Sequence, residues 1–144
     1  MDRLGKGSIV RPSDVETLVY DWGTIRLLSE PNLTGAERMT CGLVELAPGK
    51  GHDRHNHPGT EEIIYVIQGD GEQTVDDHGP VHVSPGSSIF VPNGAFHSTL
   101  NTGIETLRLL VIYAPTGAEN DLRAIPGCQI VPPPSDDELH LVEE

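Results

Sequence analysis

The sequence predicts an all-β domain, a sandwich or a barrel, on three observations. Turn signals built from Gly, Pro, Asn and Asp recur at short, regular intervals. Short β-prone apolar runs fill the gaps between them, and no convincing 3.6-residue periodicity appears before residue 117. The 16 glycines and 12 prolines suit many short strands joined by turns better than a helical protein.

Residues 1–13 are polar and glycine-rich and read as a flexible N-terminal arm. Two β-prone runs, 18–20 and 24–28, flank Asp21-Trp22-Gly23 and predict strands about a turn. Residues 29–37 read as a loop because of Pro31, Asn32 and Gly35. A strand over 39–47 closes at Pro48-Gly49, and a strand over 63–67 ends at the hairpin-type turn Gly69-Asp70-Gly71. Runs at 72–75, 81–83, 88–91, 96–100 and 106–113 supply further strands, so the barrel is expected over 14–116. The character changes in 117–144. Residues 118–124 read as a short helix, and Val131-Pro132-Pro133-Pro134-Ser135, followed by Asp136-Asp137-Glu138, reads as a Pro-rich acidic tail that no central strand accommodates.

At 144 residues the chain fits one domain with a core of its own. Nine Lys and Arg stand against 22 Asp and Glu, a formal net charge of -13. That surface repels phosphate backbones and anionic lipid, which excludes nucleic acid and membrane surfaces as partners. Cys41 and Cys128 form no CxxC-type motif, and a reduced setting is the simpler reading. The opening residues lead into no apolar core of signal-peptide length, and no segment is long enough to span a bilayer. A cytoplasmic protein is expected.

Chemistry concentrates in the stretch from Gly49 to Gly69. His55 and His57 lie two residues apart, so on an extended strand both imidazoles point to one face. A turn-prone Pro58-Gly59 follows, then Glu61-Glu62 and an Ile/Tyr/Val run. Two imidazoles and a carboxylate across a short turn make up most of a divalent-metal site. Taken alone, the stretch leaves the choice of carboxylate open.

The first block reads Gly49-x5-His55-x-His57-x4-Glu62-x6-Gly69, and a second reads Gly86-x5-Pro92-x-Gly94-x2-His97-x3-Asn101. Together they resemble the two signature motifs of the cupin superfamily, over residues from about 39 to 113. The resemblance implies a double-stranded β-helix, a cupin or jelly-roll-like barrel, with one divalent transition metal per chain held by His55, His57, Glu62 and His97. Its spacing to Gly69 selects Glu62, and alternation turns Glu61 to the opposite face. Three imidazoles and a carboxylate do not distinguish Fe, Mn, Ni, Zn, Co or Cu.

The resemblance further implies a metal-dependent enzyme of dioxygenase or lyase/isomerase type acting on a small oxygenated molecule. The alternative is a non-enzymatic ligand-binding or sensor protein. Glu62 and His52 are the acid–base candidates. From alternation and composition, Gln73, Thr99 and Arg108 are candidates for contacting substrate, with Ile64 and Val66 inward and Tyr65 outward. His78, His82 and His140 occupy no ligand position and read as solvated side chains. Small cupins commonly pair, so a homodimer is expected.

Overall fold

The computed structural model describes residues 1–135. In chain order, Asp2–Leu4 (β1) and Gly7–Ile9 (β2) form an antiparallel hairpin. Thr17–Tyr20 (β3) and Gly23–Ser29 (β4) follow, then a single helical turn at Pro31–Thr34 (α1) and Thr40–Leu46 (β5). Gly51–His55 (β6), Glu61–Gln68 (β7), Gly71–Val75 (β8) and His78–Val83 (β9) carry the chain through the histidine stretch and beyond. Ser88–Val91 (β10), His97–Asn101 (β11) and Leu107–Ala114 (β12) precede the helix Ala118–Ala124 (α2) and the edge strand Gln129–Val131 (β13).

Two sheets form the barrel. One has seven strands in the order β10-β7-β12-β5-β4-β3-β13, the other four in the order β6-β11-β8-β9. This is the double-stranded β-helix expected of the two motifs. The alternation along β12 shows how the core is filled: Leu107, Leu109, Val111 and Tyr113 are buried in the cluster between the sheets. Each fully buried side chain of this size contributes about 1.5–3 kcal/mol relative to exposure. On β7, Glu62, Ile64 and Val66 turn inward, while Glu61, Tyr65 and Ile67 face out. The two faces of one strand thus separate the adjacent glutamates.

Two segments depart from expectation. Residues 1–13, read as a loose arm, fold into the β1–β2 hairpin, tied by the Met1 amino group to Asp14 at 3.0 Å and by Arg11 to Asp2 at 2.9 Å. Residues 31–34, read as loop, close one helical turn because Gly35 takes a left-handed φ of 78° and its N–H donates to Pro31 O. The acidic tail at 136–138 and His140 lie outside the described residues.

The helix α2 closes the cavity side of the barrel. Ala118 and Leu122 join the core, and the Tyr20 hydroxyl donates to the Leu122 carbonyl at 2.6 Å. Buried Glu119 accepts from Thr40 Oγ1 at 3.1 Å and from Gly117 N at 2.7 Å. Arg123 forms a bidentate pair with buried Glu30, at 2.7 and 2.6 Å, and also reaches Glu16.

Asn101, the last residue of the second motif, is fully buried and fastens two loops. Its Nδ2 donates to the carbonyls of Leu46 and Glu105, each at 2.9 Å, and its Oδ1 accepts from Gly103 N. Its inward position is the one alternation predicts, but its role is to close the loops beside β11. Among the described residues, no helix is long and apolar enough to cross a membrane.

Candidate metal centre

Two cross-strand pairs, one from each sheet, build the site. His55 and His97 are register partners between β6 and β11. Glu62 and Tyr113 are register partners between β7 and β12, in the opposite sheet. A close approach of β6 to β11 is possible because residue 51 is glycine: a Cβ there would run into the Thr99 carbonyl oxygen.

His57 joins from a different place than the sequence suggested. The strand β6 ends at His55, so His57 lies in the connection to β7 and not on the same strand. It nevertheless turns inward and is 7% exposed. One ligand nitrogen from each of His55, His57 and His97 lies within 4.8 Å of the others. Glu62 stands at the margin of this cluster, with Oε2 3.2 Å from His97 Nε2.

The donor set fits a metal ion. His57 Nε2, His97 Nε2 and Glu62 Oε2 are buried and have no hydrogen-bond partner, the 3.2 Å contact between the last two being too poorly aligned for a hydrogen bond. Leaving buried polar atoms unmatched is costly, and an ion held by the imidazoles would give these atoms a partner. The tautomers agree. His55 Nδ1 meets the Asp53 carbonyl at 2.7 Å and His97 Nδ1 meets the Ala95 carbonyl at 3.2 Å. A carbonyl only accepts, so each Nδ1 carries a proton, which leaves Nε2 as the nitrogen that offers a lone pair to an ion once the ring is neutral.

Electrostatics points the same way. Burial, followed by repulsion from neighbouring imidazoles, pushes His55 down to about 3 and His52 down to about 4. Burial also lowers His57. For His97, burial works against the charged form, but contact with the Glu62 carboxylate outweighs it and the net shift is upward. Tyr113 is held protonated first by burial and then by the adjacent Glu62. Its ring packs edge-on against His57, with centroids 5.3 Å apart.

The cavity at this site is small, about 40 Å³, and its lining beyond the polar cluster is largely apolar, with Ile25, Val44, Leu46, Leu109, Val111 and Leu122 beside Thr99 and Tyr113. No Lys or Arg is among the described residues that line it.

The other candidates are placed as follows. Thr99 lines the cavity, with its hydroxyl donating to Gln73 Oε1. Gln73 is buried but lies outside the cavity lining, its amide committed to Thr99 and to the Thr74 carbonyl. Arg108 is on the outer face, 4.0 Å from Glu45, because its neighbours Leu107 and Leu109 take the inward positions on β12. It cannot clamp a substrate inside the barrel. His52 lies beside the centre, yet a ring this weakly basic is neutral near pH 7 and is packed face-on against Trp22, at 4.6 Å, and tilted against His55, at 3.7 Å. Sequence reasoning assigned no role to Tyr113 and placed Trp22 only in a turn. The 107-109-111-113 alternation is the signal that marks Tyr113 as inward.

Comparison with known proteins agrees with this architecture. A family model described as a cupin domain matches residues 42–113. Protein SchB of Streptomyces halstedii is 32% identical over 100 residues, 69% of this chain and 72% of that protein. Polyketide synthase CurC of Streptomyces cyaneus is 28% identical over 123 residues, 85% of this chain and 78% of that protein. Among solved structures, one described as a predicted oxalate decarboxylase of Thermotoga maritima superposes with a TM-score of 0.65 at 23% identity, covering 76% of this chain and all of that one. Likeness at that identity speaks to the fold.

Proposed function

The chain belongs to the cupin family, and from that premise we propose that it is a metal-dependent enzyme acting on a small, oxygenated molecule that chelates the ion. The observation that carries this reading is the convergence of unpartnered His57 Nε2, His97 Nε2 and Glu62 Oε2 beside His55. His55, His57, His97 and Glu62 would hold one divalent transition metal. Bound there, such an ion supplies Lewis-acid polarisation of a substrate oxygen, or oxygen chemistry where it is redox-active.

The protein's own groups narrow the substrate. The cavity lining offers apolar walls and no cation, so a dianionic acid would have no counter-charge from the protein. A neutral or singly ionised enol, diketone or phenol suits it better, and the similarity to a protein named polyketide synthase CurC favours that class. The Tyr113 hydroxyl, kept protonated beside Glu62, is placed to donate to the carboxylate and fix which oxygen faces the centre. Val111, Leu109 and Leu122 exclude bulk water from the bound oxygens.

The protein is further proposed to work as a homodimer in the cytoplasm. Phe90, Tyr65 and Ile67 are exposed together on the outer face of β10 and β7, an apolar surface that a second copy would cover.

The test is turnover of β-diketones and polyhydroxynaphthalenes by protein loaded separately with Fe(II), Mn(II), Ni(II) and Zn(II), in air and without oxygen. Products that form only in air with a redox-active ion identify an oxygenase. Products that form equally without oxygen identify a lyase or isomerase. Stoichiometric binding with no product under any condition would contradict the enzyme reading and leave a ligand-binding protein.

A further inference from the structure

We propose that the His52 ring fills a slot made for a planar ring of the substrate, between Trp22 and His55, and that this slot joins the metal cavity to an outer chamber. The inference rests on the chelating-substrate reading above and adds the shape and polarity of the molecule.

Four rings stand in a column. Tyr20 and Trp22 are stacked at 4.5 Å with planes 4° apart, Trp22 and His52 are stacked at 4.6 Å and 22°, and His52 meets His55 at 3.7 Å with the rings tilted by 30°. Both ends of the column are fixed. The Tyr20 hydroxyl is bonded to the Leu122 carbonyl, and His55 Nδ1 is bonded to the Asp53 carbonyl. Among the described residues no hydrogen bond holds the His52 ring, so stacking alone keeps it between Trp22 and His55. Turned aside, it leaves a gap one ring thick, with an indole face on one side and a metal-side imidazole on the other.

The same three residues, Trp22, His52 and His55, separate two cavities. The inner one is about 40 Å³ and is lined by three of the four candidate ligands, His55, Glu62 and His97. The outer one is about 250 Å³ and is completed by Asp21, Asp53, Arg54 and the segment Ile125–Gly127. The inner space admits little more than a few water-sized groups, enough for two chelating oxygens but not for a ring. A larger substrate must pass its body through the wall the cavities share.

The outer chamber selects what that body is. Asp21 and Asp53 bring two carboxylates, and Arg54 is already engaged with the Asp76 carbonyl at 3.4 Å, the Asp77 carboxylate at 3.5 Å and the Phe96 ring at 4.8 Å. An anionic tail is repelled there, whereas phenolic hydroxyls find acceptors and a flat carbon skeleton finds Ile125 and Pro126. The ligand class is a neutral, planar, hydroxylated aromatic with a chelating edge.

A matched pair of chelators isolates the ring. Acetohydroxamate and benzohydroxamate carry the same metal-binding group and differ by a phenyl. Each is titrated calorimetrically into zinc(II)-loaded protein while the fluorescence of Trp22, the single tryptophan, is followed. Benzohydroxamate is expected to bind about tenfold more tightly and to quench Trp22. The Trp22→Leu variant should lose that advantage with acetohydroxamate unchanged. His52→Ala should raise benzohydroxamate affinity about tenfold, because the ring no longer has to be displaced, at full zinc content.

Equal affinity of the two probes in all three proteins would overturn the slot, as would loss of zinc from His52→Ala, which would make His52 a support for His55. Should neither hydroxamate bind to zinc-loaded protein, the chelating-substrate reading itself fails, and the slot with it. Acetohydroxamate binding with no benefit from the ring removes the slot alone.

Discussion

Glu62 Oε2 and His97 Nε2 lie 3.2 Å apart, from opposite sheets of the barrel, and neither makes a hydrogen bond. This contact draws the carboxylate towards the three imidazoles. Without an ion between them, the pair holds its charges by proximity alone, and the charged form of His97 gains from it. An ion held by the three imidazoles would give both atoms a partner.

The two adjacent glutamates should therefore behave differently. Glu62 is 4% exposed and faces inward, and Glu61 points to solvent. Glu62→Gln should weaken metal binding by about 10- to 100-fold, and Glu61→Gln should leave it within about twofold. Competition against a chromophoric chelator measures both. Equal losses would show that the carboxylate was wrongly assigned.

Acid should destabilise the metal-free protein before it protonates any ordinary carboxylate. His52 and His55 are pushed down to about 4 and about 3 in the fold, against 6.5 in an unfolded chain, and His57 is shifted the same way. Between these limits the unfolded state binds more protons, so stability falls as pH falls from about 6.5 towards 4. His97 has the opposite sign, but below 6.5 it is charged in both states and drops out. Urea midpoints measured from pH 7.5 to 4.5 should decline steadily through this window, and added metal should oppose the decline. A midpoint that stays flat through this range would contradict the burial of these rings.

Asn101 should matter for stability and not for binding. Its amide makes three hydrogen bonds to loop backbone from a fully buried position. Asn101→Ala orphans the two carbonyls and the Gly103 N–H at a cost of about 3 kcal/mol, read from urea unfolding. Metal affinity of the folded variant should be unchanged, since Asn101 does not line the cavity.

Part of the site was legible in the sequence because it is written in local terms. The motif spacing pointed to His55, His57 and His97, which the fold brings together with Glu62 at their margin, and period-two alternation places Glu62, Ile64 and Val66 inward. What alternation could not give were the contacts made by residues distant in the chain. Trp22 meets His52 only because the turn between β3 and β4 comes up against β6 in the folded barrel, and Tyr113 meets Glu62 only through the β7–β12 register. Arg108 was misplaced for a simpler reason. Its charge drew attention, although the apolar residues on either side already assign it to the outer face. The N-terminal hairpin was missed because its ties are ion pairs between short polar segments, which carry no apolar signature.

The central claim is that His55, His57, His97 and Glu62 hold a metal, and metal content tests it most directly. Protein purified without a chelating tag and analysed for transition elements should carry about one divalent ion per chain, and His57→Ala and His97→Ala should lose most of it while remaining folded. Full occupancy in both variants would contradict the site.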